Sequence, residues 1–144
     1  MSGTPADIRC SAGRIPGAKD VRALYDSVGW SAYTDDLDSL MRGLAGSAHV
    51  VTAWRDERLV GLARVISDGH TIAYLQDVLV DPEHQRRGIA SELVGRAFAP
   101  FASVRQHILM TDAEERQRAF YESLGFREIR DFPHGGMRGF VRFS

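Results

Sequence analysis

Apolar positions in the first part of the chain recur at helical spacing. Val21, Leu24, Tyr25 and Val28 fall at i, i+3, i+4 and i+7, and Gly29 follows as a stop. Leu37, Leu40, Met41 and Leu44 repeat that spacing, with Thr34 as the expected N-cap, Asp35 and Asp36 in the first turn, and Gly46 just past the end. The pattern then changes to short apolar runs. Ala48 to Trp54 and Leu59 to Val65, separated by Asp56-Glu57, predict a hairpin, and Ser67-Asp68-Gly69 predicts a second turn into a strand from about Thr71 to Val80. Pro82 prevents that strand from continuing. Helical spacing returns at Ile89, Leu93, Val94 and Ala97 until Pro100, then Val104 to Met110 reads as a strand. The next helix places Ala119, Phe120 and Leu124 on one face before Gly125. Arg127 to Ile129 and Gly139 to Phe143 predict a closing strand pair, joined by a loop containing Pro133 and His134-Gly135-Gly136. With a short strand near Ile8 as a possible addition at the start, the order is ααβββαβαββ, an α/β fold with a sheet of mixed direction.

Bulk properties narrow the function classes. The 144 residues suit a single domain spanning 1–144, and no repeat or Pro/Gly/Ser-rich linker divides them. A formal charge of -1 provides no global attraction to nucleic acid or to an anionic membrane. One cysteine, Cys10, forms no internal bridge, and no run approaches the roughly 18 apolar residues of a membrane span. A cytoplasmic protein is therefore expected. The five histidines are scattered without ligand spacing, so no metal is expected.

Candidate chemistry concentrates between Asp77 and Phe98, where an apolar strand, the loop Gln85-Arg86-Arg87-Gly88-Ile89-Ala90 and an amphipathic helix succeed one another. The first helical turn has main-chain N–H groups without intrahelical partners and the positive end of the macrodipole, which suits phosphate oxygens. Gly88 and Ala90 leave the main chain accessible to a bulky diphosphate. A diphosphate-bearing cofactor is expected here. The phosphate-loop hydrolase reading lacks its Gly-Lys-Ser or Gly-Lys-Thr run.

Two signatures together resemble the GNAT superfamily of acyl-CoA-dependent N-acetyltransferases. Gln85-Arg86-Arg87-Gly88-Ile89-Ala90 is similar to its coenzyme motif, and Phe120-Tyr121-Glu122-Ser123-Leu124-Gly125-Phe126 to its second signature, about 30 residues downstream. Gly29-Trp30, Ala63-Arg64, Ser67-Asp68 and the run Asp77 to Pro82 also resemble a subgroup of small bacterial and plastid members, some acting on arylalkylamines and some on protein lysines. The resemblance implies a sheet splayed open between the strand ending at Val80 and the strand ending near Met110. The pantetheine arm of acetyl-CoA would lie in that split against the main chain of Leu79 and Val80. Its diphosphate would sit on the amides from Gln85 to Ala90, with Ser91 as a hydroxyl donor and Arg86 and Arg87 adding charge. The Asn that the family carries ahead of its second signature is replaced here by the segment Asp112 to Arg118.

Acetyl transfer to an amine needs a proton donor for the departing thiolate and loss of a proton from the nucleophile. Tyr121 is the expected general acid, and the main-chain amide of Val80 or Leu79 the expected donor to the thioester oxygen. Asp77, Tyr74 and His70 are the candidate bases, with direct capture of the neutral amine as an alternative to any base. The resemblance implies that Trp30 and Tyr33 form part of the acceptor wall, and Tyr74 is a further expected acceptor-binding residue. The expected partners are acetyl-CoA, a primary amine and, as is common in the family, a second copy of the chain. A non-catalytic acyl-CoA-binding module with the same fold is the alternative function.

Overall fold

The computed structural model describes residues 5–134 and 136–144. They divide into two compact units, Met1–Met110 and Thr111–Ser144, where the sequence suggests a single domain. The first unit holds a five-stranded sheet in the order β1-β2-β3-β4-β5. Its strands are β1 (Arg9–Ala12), β2 (His49–Arg55), β3 (Arg58–Ser67), β4 (Ile72–Val80) and β5 (Gln106–Leu109). β1 to β4 run antiparallel to their neighbours, and β5 joins β4 in parallel, as its connection through a helix requires. β1 is the additional N-terminal strand expected near Ile8. The mixed α/β architecture expected from the sequence is present.

Before β2 come α1 (Ala18–Ser27), a single turn α2 (Ser31–Thr34) and α3 (Leu37–Ala45). The sequence pattern gives only two of these, and it misassigns the cap of the last. Asp36, not Thr34, caps α3, its carboxylate accepting from the Ser39 amide at 3.2 Å. Thr34 ends α2 instead and turns inward to donate to Asp26 Oδ1 at 2.5 Å. The apolar stripes of α1 and α3, including Val21, Leu24, Tyr25, Leu40 and Leu44, bury against Leu62 of β3 and Leu79 of β4. On the other face lies α4 (Ile89–Phe98), which packs on β2, β3 and β4. It comes close because position 61 has no side chain. A Cβ at Gly61 would stand 2.9 Å from Leu93 Cδ1 and 3.3 Å from Ala53 Cβ.

The hairpin between β3 and β4 is tied by Asp68, which accepts from the amides of His70 and Thr71 at 2.9 and 2.8 Å. Further along, Arg64 pairs with Asp77 but Val65 pairs with Leu75, so Gln76 is an extra residue in β4. Such a bulge shifts side-chain alternation by one position. Tyr74 and Asp77 thereby join Leu79 on the face covered by α1 and α3, opposite Ile66, Arg64 and Leu62 of β3.

The second unit contains α5 (Glu115–Ser123) and a turn of 3₁₀ helix at Ile129–Asp131. The buried residue of α5 is Tyr121, whereas Ala119 is exposed and Phe120 and Leu124 are half-buried. The expected closing strands do not form among the described residues. Ile129 enters the 3₁₀ turn, and residues 139–143 are irregular, with Phe140 and Phe143 exposed. Residues of strand-forming type become a strand only where a ladder partner supplies hydrogen bonds, and two short strands alone are marginal in water. Gly135, in the expected connecting loop, lies outside the described residues.

Candidate active site

β4 is nine residues long, but β5 pairs only with Ile72 to Leu75. Residues 76–80 therefore have no ladder partner on that edge among the described residues, which is the opening expected between Val80 and Met110. Ladder alternation decides which main-chain groups face it. The Asp81 amide donates to the Val60 carbonyl at 2.8 Å, so the main chains of Leu79 and Asp77 also turn toward β3. Those of Val78 and Val80 face the open edge. Gln85 Nε2 reaches the outward Val80 carbonyl at 3.1 Å. Leu79, expected to contribute main-chain contacts in the split, is thus directed away from it, and Val78 takes that position.

The loop leaving β4 is built on a buried carboxylate. Asp81 accepts from the Glu83 amide at 2.9 Å and from Arg58 Nη2 at 2.8 Å, and His84 Nδ1 stands 3.4 Å away. Burial alone would raise the Asp81 carboxyl, but these partners outweigh it and hold it below its ordinary range. Arg86 and Gly88 both adopt left-handed backbone, with φ of 63° and 81°. Gly88 is the N-cap of α4 and no side chain caps its first turn, so the amides of the helix start carry no side-chain acceptor. Ile89 anchors this turn in the core, while Ala90 and Ser91 remain half-buried. Gln85 and Arg86 are exposed, and Arg87 pairs with Asp7 at 3.1 Å.

A second polar group lies on the α1/α3 face of β4. Asp77 is 3% exposed and its two oxygens take three donors. Arg64 Nε donates to Oδ2 at 2.5 Å, Tyr25 OH to Oδ2 at 3.0 Å, and Tyr33 OH to Oδ1 at 2.8 Å. Arg64 Nη1 also reaches Ser47 Oγ at 3.4 Å, and Gln76 Nε2 donates to the Tyr33 oxygen at 3.1 Å. Burial, reinforced by the Asp77 carboxylate, pushes the Tyr25 phenol far above its ordinary value. Burial also raises Tyr33, where Asp77 adds to the shift and the Gln76 amide opposes it. Burial would depress Arg64, but Asp77 more than compensates and keeps it charged. A carboxylate so engaged holds its neighbours in place and has no free oxygen aimed at solvent. Arg64, Tyr25 and Gln76 are not among the site residues expected from the sequence, where Arg64 enters only with Ala63 as part of the resemblance and Tyr25 only as an apolar helix position; the signal for Arg64 is an Arg and an Asp standing inside otherwise apolar runs on paired strands.

The aromatic residues expected on the acceptor side lie near one another. Tyr33 lies edge-on to Tyr25 at 5.3 Å between ring centroids and 6.2 Å from Trp30, which is 37% exposed. Tyr74 shares that face, its phenol raised by burial first and then by Tyr33 and Asp77. His70 lies apart, exposed in the β3–β4 turn. No group of three or more metal-ligating side chains occurs among the described residues, and no helix there is long and apolar enough to cross a membrane.

In the second unit Tyr121 lies against Phe120 and Phe126, at 4.9 and 6.1 Å between ring centroids. Burial, with the Asp112 carboxylate adding to it, pushes its phenol up to about 12. It stays protonated through the neutral range.

Residues 46–128 match the model of the acetyltransferase (GNAT) domain. The chain belongs to the GNAT family. An acetyltransferase of Gibberella zeae, so named provisionally, is 30% identical over 132 residues, covering 89% of this chain and 70% of that protein. The histone acetyltransferase TAP1 of Glycine max is 30% identical over 135 residues, covering 86% of this chain but only 58% of its own length. Among solved structures, a GNAT family acetyltransferase of Streptococcus pneumoniae TIGR4 superposes with a TM-score of 0.79 at 31% identity, covering 94% of this chain and 99% of that one. Membership of the GNAT family supports acyl transfer as the general chemistry.

Proposed function

We propose that this GNAT domain transfers acetyl from acetyl-CoA directly to a primary amine, and the observation that carries the reading is the open edge of β4 leading into the uncapped first turn of α4. The residues present fit the coenzyme. Val78 and Val80 offer main-chain donors and acceptors to an extended amide-bearing arm, in the way an added strand would. The amides from Gly88 to Ser91, the left-handed Gly88 and the Ser91 hydroxyl suit a diphosphate. Arg86 adds positive charge, while Arg87 is shared with Asp7.

Bound acetyl-CoA supplies an activated acyl thioester. The Val80 amide polarises its oxygen as a C–N bond forms and the C–S bond breaks. Tyr121, as the assigned general acid, would protonate the departing sulfur and be reprotonated from solvent, which takes up the proton lost from nitrogen. Asp77 acts as a positioning residue, because Arg64 and two phenols already occupy it. The nucleophile is then the neutral fraction of the amine. The rings of Trp30, Tyr33 and Tyr74 favour an amine carried on an apolar or aromatic skeleton. We assign the whole chain to one catalytic domain of a cytoplasmic enzyme.

The test has two parts. Isothermal titration with acetyl-CoA should give a micromolar dissociation constant, and thiol release should follow with at least one of 2-phenylethylamine, serotonin, Nα-acetyl-lysine amide or spermidine. Absence of binding at millimolar acetyl-CoA would reject the reading; binding without transfer to any of the four would favour the non-catalytic module. Tyr121→Phe should keep coenzyme affinity within about threefold and lower kcat by roughly 100-fold. An unchanged kcat removes Tyr121 from the mechanism.

A further inference from the structure

Gln76 is at once the bulge residue of β4, the first residue beyond its pairing with β5, and an exposed side chain. Its amide orientation is dictated from below. The Asp77 carboxylate, paired with Arg64, only accepts hydrogen bonds, so Tyr33 must give its single hydroxyl proton to Oδ1. The Tyr33 oxygen is then left as an acceptor toward Gln76, which must present Nε2 to it, as the 3.1 Å contact records. With one N–H of Nε2 committed to Tyr33, the orientation of the amide is set and Oε1 is the acceptor atom of this side chain. Residue 76 stands where β5 leaves β4, and its partner Tyr33 also touches Trp30.

We propose that Gln76 Oε1 receives an N–H of the acceptor amine and aims its nitrogen into the split, with Tyr33 as the positioning residue that keeps the amide from turning over. The proposal rests on the N-acetyltransferase reading and adds to it the group that selects a hydrogen-bond-donating nucleophile. A relay ending in a fixed carbonyl oxygen recognises the N–H groups of an amine and offers nothing to an alcohol or thiol beyond their single proton.

The experiment is a double-mutant cycle of Gln76→Leu and Tyr33→Phe, with steady-state kinetics on whichever of the four amines above the wild-type protein turns over. Gln76→Leu should raise the acceptor KM at least tenfold while the acetyl-CoA KM stays within twofold. Tyr33→Phe, which keeps the ring contacts, should raise the acceptor KM about three- to fivefold. The double variant should be no worse than Gln76→Leu alone, because the phenol acts through the amide. An acceptor KM within twofold of wild type in Gln76→Leu, or effects of the two substitutions that multiply in the double variant, would overturn the proposal. Turnover of none of the four amines by a chain that binds acetyl-CoA rejects the transferase reading itself and this inference with it.

Discussion

Two regions on either side of the same stretch of β4 contrast in how their polar groups are satisfied. On the α1/α3 face, Asp77 takes three donors and Arg64 is shared between Asp77 and Ser47, so a buried charge is matched in full. Along the open edge and into α4, Val78, Val80 and the first amides of the helix face outward with no ladder or side-chain partner among the described residues, apart from Gln85 on the Val80 carbonyl. A buried charge pair costs so much to desolvate that it persists only when its remaining hydrogen bonds are made, whereas unpaired main-chain groups at an accessible edge are free to receive a ligand. Asp77 is therefore part of the frame, and the groups left open along the β4 edge and the α4 start are main-chain ones.

That contrast is broken most directly at Asp77. Asp77→Asn should leave the Arg64 guanidinium buried without its counter-charge and lower unfolding free energy by about 3 kcal/mol or more in urea denaturation. A loss below about 1 kcal/mol, together with abolished turnover, would return Asp77 to the role of base. A smaller effect on stability and a larger one on binding should come from Gly88→Val. Its φ of 81° places a β-branched residue in left-handed backbone, at a cost of roughly 1–2 kcal/mol, and weakens acetyl-CoA at least tenfold in titration calorimetry. Undiminished affinity would show that the loop does not approach the coenzyme through this residue.

The smallest effect is a pH dependence to which the saturated face contributes alongside Tyr121. Tyr25 and Tyr33 have folded-state pKa values raised above the ordinary 10.0, so the folded protein holds these protons more tightly than the unfolded chain. The stability they confer is complete below pH 10 and is lost as pH rises beyond it, by up to about 1.4 kcal/mol per pH unit for each phenol involved. Denaturation midpoints should be flat from pH 8 to 9.5 and fall above pH 10. A fall beginning below pH 9 would contradict the hydrogen-bond assignments around Asp77.

The open edge was the more legible of the two regions in the sequence. Gln85 to Ala90 announces itself because a strand, a Gly-containing turn and an amphipathic helix are contiguous, and each property is local. The Asp77 cluster joins residues up to 52 positions apart and depends on the bulge at Gln76, which no run of apolar residues reveals. Simple alternation from Val80 backward puts Tyr74 on the face opposite Asp77; the extra residue brings them to the same one. The same register explains why Val78, rather than Leu79, faces the split. Thr34 passed for a cap because its own inward hydrogen bond to Asp26 is a tertiary contact, invisible to a local rule. The run Phe140-Val141-Arg142-Phe143, rich in aromatic and β-branched residues, likewise satisfies strand composition without telling whether a partner strand is present.

The most direct test of the open-edge account is amide hydrogen exchange at Val78, Leu79 and Val80, followed by NMR with and without acetyl-CoA. Leu79 should be protected in both states by its pairing with β3, while Val78 and Val80 should exchange rapidly in the free protein and become protected at saturating coenzyme. Slow exchange of Val80 in the free protein, or no change at Val78 and Val80 on saturation, would contradict it.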